Sequence, residues 1–112
     1  MELEAFELVF LRRPENPAAH PDEVLERIQE EHLAYLASLR ASGQAVTSGP
    51  VMDQADGSLR GVTIFRTGSL DESRRLAEAD PAVQAGRLVP EIMTWLCPPG
   101  TMTKPGRQFT VP

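Results

Sequence analysis

Apolar side chains alternate along the first segment of the chain, residues 3–12. One face of this segment carries Phe6, Leu8 and Phe10, and the other carries Ala5, Val9 and Leu11. The period of two predicts a β-strand. A strand with one face in water would alternate more cleanly between apolar and polar residues. We therefore expect this strand to be covered on both faces.

A helical period follows over residues 22–42, where apolar residues recur at intervals of three and four. This spacing predicts an amphipathic helix, with His32 and Tyr35 on its inward stripe. We expect Asp22 to cap the start of the helix. Gly43 is expected to end it in the left-handed conformation.

The rest of the chain predicts further strands and helical segments. In order, they are strands at residues 44–51 and 59–67, a helix from Ser69 to Ala79, a helical turn from Asp80, and a strand at residues 88–97. Ser69 begins a Ser-x-x-Glu capping box, and Asp80-Pro81 has the cap residue and first-position proline of a helix start. The complete order is β-α-β-β-α-β, the ferredoxin-like α+β pattern, which packs both helices on one face of an antiparallel sheet.

A chain of 112 residues fits one domain. We expect the ferredoxin-like domain to span residues 1–97 and an irregular, proline-rich tail to span residues 98–112. The sheet face opposite the helices would be a bare apolar patch in a monomer, and such patches mark interfaces. Two subunits packed sheet to sheet would cover it, so we expect a homodimer.

Charge and cysteine content exclude several classes of function. The net charge is −5, which repels phosphate backbones, so no nucleic-acid partner is expected. No apolar run approaches the roughly 20 residues of a membrane span, and no signal peptide is recognisable at the N-terminus. Cys97 is the only cysteine, which indicates a reducing cytoplasm. No histidines and carboxylates have metal-ligand spacing, so neither a metal nor another cofactor is expected.

His32 is the first candidate for chemistry. A polar side chain on an inward stripe requires a hydrogen-bond partner. His32 is therefore either a histidine at the edge of the core, held by one neighbour, or a general acid–base group. Asp80 either only caps the short helix or also accepts a hydrogen bond from His32 and sets its tautomer.

Small residues and one aromatic residue are candidates for ligand contact. Ser48, Gly49 and Pro50 form either a plain strand end or a place where backbone amides face a ligand. Tyr35 is a candidate substrate contact, with a core or interface position as the alternative. These residues do not identify a substrate.

Several of these positions together resemble the YciI-like (YCII-related) family. They are His32-Leu33-Ala34-Tyr35-Leu36, Gly43, Ser48-Gly49-Pro50, Ala79-Asp80-Pro81 and Gly86, and the resemblance covers residues 3–97. It implies ferredoxin-like subunits paired into a dimeric α/β barrel, with His32 and Asp80 as an active-site pair. Ala82 stands where many members have an aromatic residue. The loop at residues 13–21 and the tail are longer than in a minimal member, which indicates a modified pocket rim.

The resemblance also implies a class of reaction. A few relatives act on chlorinated aromatic breakdown products, and muconolactone isomerases share the wider fold. For this chain it implies cofactor-independent elimination, isomerisation or lactone chemistry on a small organic acid, with His32 as base and Asp80 as orienting partner. The alternative is a non-catalytic small-molecule-binding or structural homodimer. An open cavity with His32 at its wall favours chemistry, whereas a His32 packed shut favours the structural role.

Overall fold

The computed structural model describes residues 1–103 and 106–111. The elements are β1 (Glu4–Arg12), α1 (Asp22–Ala41), β2 (Ala45–Pro50), β3 (Leu59–Phe65), α2 (Leu70–Glu78), α3 (Pro81–Gln84), β4 (Val89–Cys97) and a 3₁₀ turn (Thr101–Thr103). This order confirms the predicted ferredoxin-like α+β class. The predicted helical turn at Asp80-Pro81 is α3.

The strands form one antiparallel sheet in the order β2-β3-β1-β4. Its register places Leu8 opposite Ile64 on one side and Met93 on the other. Since side chains alternate across a strand, Val9 points to the opposite face, together with Ile92. β1 is thus a central strand whose two apolar faces belong to two different clusters.

The main core lies between the sheet and the helices. Val9 and Phe65 are fully buried there and pack with Leu36 of α1 and Leu76 of α2. Each such side chain contributes about 1.5–3 kcal/mol relative to an exposed position. This packing sets the rotation of α1 about its axis, and therefore the direction of His32, which lies one turn before Leu36.

The helix ends follow the local signals with one exception. Gly43 has a φ of 82° after α1, as predicted, and the Ser69 hydroxyl accepts a hydrogen bond from the Glu72 backbone N–H at 3.2 Å. The prediction that Asp22 caps α1 is wrong, because Pro21 occupies the cap position and Asp22 is the first helical residue. The Pro21 carbonyl already accepts the first hydrogen bonds of the helix. The Asp22 carboxylate instead lies in the first turn, where the helix dipole favours negative charge.

The sheet face opposite the helices is apolar, but it is partly covered within the chain. Phe6, Ile64 and Cys97 are buried on this face, and Met102 packs against them from beyond β4. Trp95, which pairs with Phe6, keeps 41% of its surface exposed. The expectation of a wholly bare face is therefore corrected, because residues after β4 fold back over one end of it.

The first residues of the predicted tail, 98–112, contact β1. The backbone N–H of Gly100 donates a hydrogen bond to Glu4 Oε1 at 2.6 Å. Residues 104, 105 and 112 lie outside the described residues, and residues 106–111 have no regular secondary structure. In the described part of the chain, no helix combines the length and the apolar character needed to cross a membrane.

Candidate active site

A cavity of about 620 Å³ opens between α1 and the ends of β2 and β3. Its α1 wall includes Ile28, Gln29 and His32, and its strand wall includes Ser48, Gly49 and Pro50. Ligand sites for small organic molecules typically occupy about 300–1,000 Å³. The cavity therefore has room for a small organic ligand in contact with His32.

His32, which lines this cavity, forms a hydrogen-bonded pair with Asp80. His32 Nδ1 lies 2.7 Å from Asp80 Oδ2 and 2.9 Å from Oδ1. Asp80 is 2% exposed and His32 is 9% exposed. The two residues are far apart in the sequence and meet because α1 packs against α3, which Asp80 caps.

The pair has a defined hydrogen-bond direction. An ionised carboxylate only accepts hydrogen bonds, so Nδ1 of His32 carries the hydrogen and donates it. Asp80 Oδ1 also accepts from the Ala82 backbone N–H at 2.8 Å, so one carboxylate both caps α3 and orients the ring. Among the described residues, nothing pairs with Nε2, and His32 lines the cavity. Nε2 and its lone pair are therefore available to a ligand, which is the arrangement of a general base.

The segment Ser48-Gly49-Pro50 lies across the cavity from α1. Ser48 Oγ accepts a hydrogen bond from Arg40 of α1. A Cβ built on Gly49 would meet no atom within 4 Å, so the space beside this backbone is open. The structure thus brings this segment together with His32 around one cavity.

Tyr35 is not brought to the cavity. It lies three positions after His32, which turns it by about 60° around the helix axis. Its hydroxyl donates a hydrogen bond to the Leu76 carbonyl at 2.7 Å, and its ring packs against the main core. Burial, followed by the charge of Asp80, raises the pKa of Tyr35 above its ordinary value. The sequence analysis left Tyr35 as either a substrate contact or a core residue, and the structure places it in the core.

Four arginines that the sequence analysis did not single out also line the cavity. They are Arg13, Arg40, Arg60 and Arg87, and they come from four separate segments of the chain. Strand register was the signal that could have placed two of them together. The Arg13 backbone N–H donates to the Ser58 carbonyl at 2.7 Å, which sets Arg13 beside the start of β3.

The remaining titratable candidates lie elsewhere. Cys97 is buried on the opposite face of the sheet. His20 Nε2 lies 2.9 Å from the Ala85 carbonyl oxygen and joins the first loop to the segment after α3. Within residues 1–103 and 106–111, no group of three or more His, Cys, Asp and Glu side chains is arranged to hold a metal ion.

The model of the YCII-related domain matches residues 8–96. A similar solved structure is 5-chloro-2-hydroxyhydroquinone dehydrochlorinase (TftG) from Burkholderia phenoliruptrix AC1100, in complex with 2,5-dihydroxybenzoquinone. It is 25% identical with a TM-score of 0.51, and the match covers 80% of this chain and 90% of that chain. No curated protein sequence matches.

Proposed function

The chain belongs to the YCII-related family, and on that premise we propose that it is a cofactor-independent acid–base enzyme acting on a small organic acid. His32 is the general base, and Asp80 is the residue that orients it. One observation carries the proposal: His32 lines an open cavity while its Nδ1 is held 2.7 Å from a buried carboxylate, and its Nε2 has no partner among the described residues. Elimination, isomerisation and lactone chemistry all begin with such a proton transfer.

The proposed mechanism needs only groups of this chain. Nε2 accepts a proton from an acidic C–H or O–H of the substrate, and the carboxylate of Asp80 stabilises the imidazolium that forms. The ring then returns the proton to another atom of the same molecule, which is isomerisation, or to the leaving group, which is elimination. The Ala82 N–H holds Asp80 in place throughout. One acid–base group of this kind contributes typically about 10²–10⁴-fold in rate.

The similar dehydrochlorinase favours elimination as the first reaction to test. Its name describes the removal of hydrogen chloride, and its structure contains a small cyclic ligand. At 25% identity, we take this likeness as support for a class of chemistry rather than for a particular substrate. 5-Chloro-2-hydroxyhydroquinone is therefore the first assay compound, followed by small lactones and chlorinated hydroxy-aromatic acids.

The non-catalytic alternative also rests on a specific observation. Asp80 Oδ1 accepts the capping hydrogen bond of α3 whether or not any reaction occurs. A buried pair that joins α1 to α3 would then be a structural connection, and the cavity would only bind a small molecule.

The substitution His32→Asn separates the two roles. Asn can still donate a hydrogen bond to Asp80, but its amide cannot act as a general base. In the catalytic role, turnover falls about a hundredfold or more while folding is retained. In the structural role, the variant loses about 1 kcal/mol of stability and keeps any ligand binding.

The control for His32→Asn is Glu30→Gln, which changes an exposed polar side chain of α1 that does not line the cavity. We expect this control to turn over substrate at close to the wild-type rate. If the His32→Asn protein turned over a substrate at the wild-type rate, His32 could not be the general base for that substrate.

We further propose that the protein is a cytoplasmic homodimer whose subunits pack through the open faces of their sheets, as a dimeric α/β barrel. Trp95 and Val89 of β4 support this, because they point to that face and are 41% and 50% exposed. The single cysteine, Cys97, is buried and forms no disulfide. Light scattering at micromolar concentration should give twice the 12.3 kDa of one chain. A stable, folded monomer at that concentration would rule the dimer out.

A further inference from the structure

The cavity has the opposite charge to the molecule as a whole. The chain carries a net charge of −5, yet Arg13, Arg40, Arg60 and Arg87 line the cavity. No Asp or Glu is among its described lining residues. Positive charges gathered at one place repel each other and attract anions, and the low-dielectric walls of a cleft concentrate this field. The cavity is therefore electrostatically prepared for a negatively charged ligand.

Two of these guanidinium groups have no partner in the described part of the chain. The side chains of Arg13 and Arg60 make no hydrogen bond or ion pair there. The neighbouring Arg12 points to the other face of the sheet and is different, because its Nε lies 2.7 Å from Glu91 Oε2. Arg12 is thus paired with a carboxylate away from the cavity, whereas Arg13 and Arg60 at the cavity wall have no partner among the described residues.

The other two arginines are positioned without being neutralised. Arg40 donates to the hydroxyl of Ser48, and Arg87 Nη1 donates to the Ala18 carbonyl oxygen at 2.9 Å. A guanidinium has five N–H donors, so each of these groups keeps further donors for a ligand. Because both acceptors are uncharged oxygens, these hydrogen bonds do not neutralise the positive charge of either arginine.

We propose that the cavity selects small organic dicarboxylates over monocarboxylates of similar size, and that Arg60 and Arg13 bind the ligand's charge. A monocarboxylate would leave most of the gathered positive charge unpaired. Arginine also suits this role, because its planar guanidinium binds a carboxylate through two parallel hydrogen bonds. The inference rests on the proposed function for the position of the reacting carbon, which would lie beside Nε2 of His32. The selection itself is a property of binding and needs no turnover.

The test is isothermal titration calorimetry of the full chain at low ionic strength. The probes are succinate, glutarate and adipate, each compared with the monocarboxylate of the same number of carbons. We expect at least one dicarboxylate to bind roughly tenfold more tightly than its matched monocarboxylate, the scale of one additional hydrogen-bonded ion pair. No measurable binding of any dicarboxylate at millimolar concentration would overturn the proposal, as would equal affinity for both classes.

Variants assign the effect to particular side chains. Arg60→Gln and Arg13→Gln should each reduce the preference for the dicarboxylate by roughly tenfold, and Arg60→Lys should restore only part of it. Arg66→Gln is the matched control, because Arg66 is an exposed arginine that follows β3 and does not line the cavity. An equal loss in Arg66→Gln, or equally tight binding of inorganic sulfate, would mean general attraction of anions and would overturn the assignment.

His32→Asn distinguishes this inference from the proposed function. If the dicarboxylate preference survives in His32→Asn and no compound is turned over by the wild-type protein, the proposed function fails and the inference stands. If turnover depends on His32 while Arg60→Gln and Arg13→Gln leave the preference unchanged, the inference fails and the proposed function stands.

Discussion

Replacing Asp80 with Asn tests the hydrogen-bond direction inside the buried pair. In the wild-type protein Oδ2 lies 2.7 Å from His32 Nδ1, and Oδ1 lies 2.8 Å from the Ala82 backbone nitrogen. An amide has one oxygen and one NH₂ group. If the oxygen keeps the bond from Ala82, the NH₂ takes the place of Oδ2 and donates to Nδ1. His32 must then carry its hydrogen on Nε2, so the nitrogen that faces the cavity becomes a donor.

The cost in stability follows from which contacts survive. The cap of α3 is kept, and the bond to His32 changes from charged to neutral. Hydrogen bonds to charged groups contribute about 1.5–3 kcal/mol and neutral ones about 0.5–1.5 kcal/mol, so Asp80→Asn should lose about 1–1.5 kcal/mol. For a chain of this size that lowers Tm by about 4–6 °C. Asp80→Ala also loses the cap, worth about 1 kcal/mol, and leaves Nδ1 of His32 unpaired, for a total of about 3–4 kcal/mol.

The effect on activity should be far larger than the effect on stability. In the serine-protease triad the same exchange lowers kcat about 10⁴-fold, because the histidine is held in the wrong tautomer. A general base at Nε2 of His32 would be lost in the same way. We therefore expect turnover of any substrate of this site to fall by about 10³–10⁴-fold in Asp80→Asn.

The assay needs no substrate for its first step. Nitrogen-15 NMR of the imidazole rings shows which ring nitrogen carries the hydrogen, and His20 is the other histidine of the chain and serves as an internal reference. We expect the Nδ1–H tautomer of His32 in the wild-type protein and the Nε2–H tautomer in Asp80→Asn, with His20 unchanged. Thermal unfolding followed by circular dichroism gives the stability of the same samples.

Two results would refute the reasoning. An unchanged Nδ1–H tautomer in Asp80→Asn would mean that the amide adopts the opposite orientation and that Ala82 does not control it. Wild-type turnover in a variant shown to have the reversed tautomer would exclude Nε2 of His32 as the base.

Two further predictions concern the surroundings of the pair. Burial and then the charge of Asp80 raise the pKa of Tyr35 above its ordinary value of 10.0. The contribution of the protonated Tyr35 hydroxyl to folding stability is therefore present below pH 10, and it is lost as the pH rises through the folded-state pKa. Between pH 10 and the folded-state pKa, the free energy of unfolding of Tyr35→Phe, measured with urea, should therefore fall less steeply with pH than that of the wild type. Identical slopes in this range would contradict the raised pKa. Gly86 has a φ of 76°, and a Cβ there would lie 2.9 Å from the Ala18 Cβ, so Gly86→Ala should cost more than the roughly 1–2 kcal/mol of left-handed strain. Gly68→Ala is the control: Gly68 has a φ of 79°, and its new Cβ would meet nothing within 4 Å, so this variant should cost only the left-handed strain. Equal urea midpoints for the two variants would argue against packing of Ala18, in the loop at residues 13–21, on Gly86.

The elements of the fold were predictable because their signals are local. Alternation along β1, the helical spacing of α1, Gly43 after it and the caps at Ser69 and Asp80 each depend on residues within a few positions of one another. Steric and hydrogen-bonding rules act at that range. The cap of α1 was the local signal that misled, because the Pro21 carbonyl begins the helix one residue earlier than the Asp22 side chain would.

Glu7 shows what local signals could not contain. Its position in β1 puts a carboxylate on the same face as Val9, beside the main core, and it is 4% exposed. Its Oε1 accepts hydrogen bonds from the Thr67 backbone N–H and from the Ser73 hydroxyl, each at 3.0 Å. A buried carboxylate is tolerated because such donors surround it. These donors lie about sixty positions along the chain, so only the folded structure brings them together.

The candidate site likewise combines features that the sequence determines locally with features that only the tertiary structure decides. From its residues alone the sequence determined an α+β chain with a histidine on the inward stripe of its long helix and a capping aspartate before a short one, and the family resemblance suggested that the two form a pair. The tertiary structure decided that Nδ1 of His32 contacts Asp80 and that His32 lines a cavity. It also decided that Tyr35 packs in the core and that four arginines line the same cavity. Periodicity determines which side of a helix or strand a residue occupies, because that depends only on backbone geometry. Which residues meet across a cavity depends on how the helices pack on the sheet, and that packing is set by contacts between segments distant in sequence.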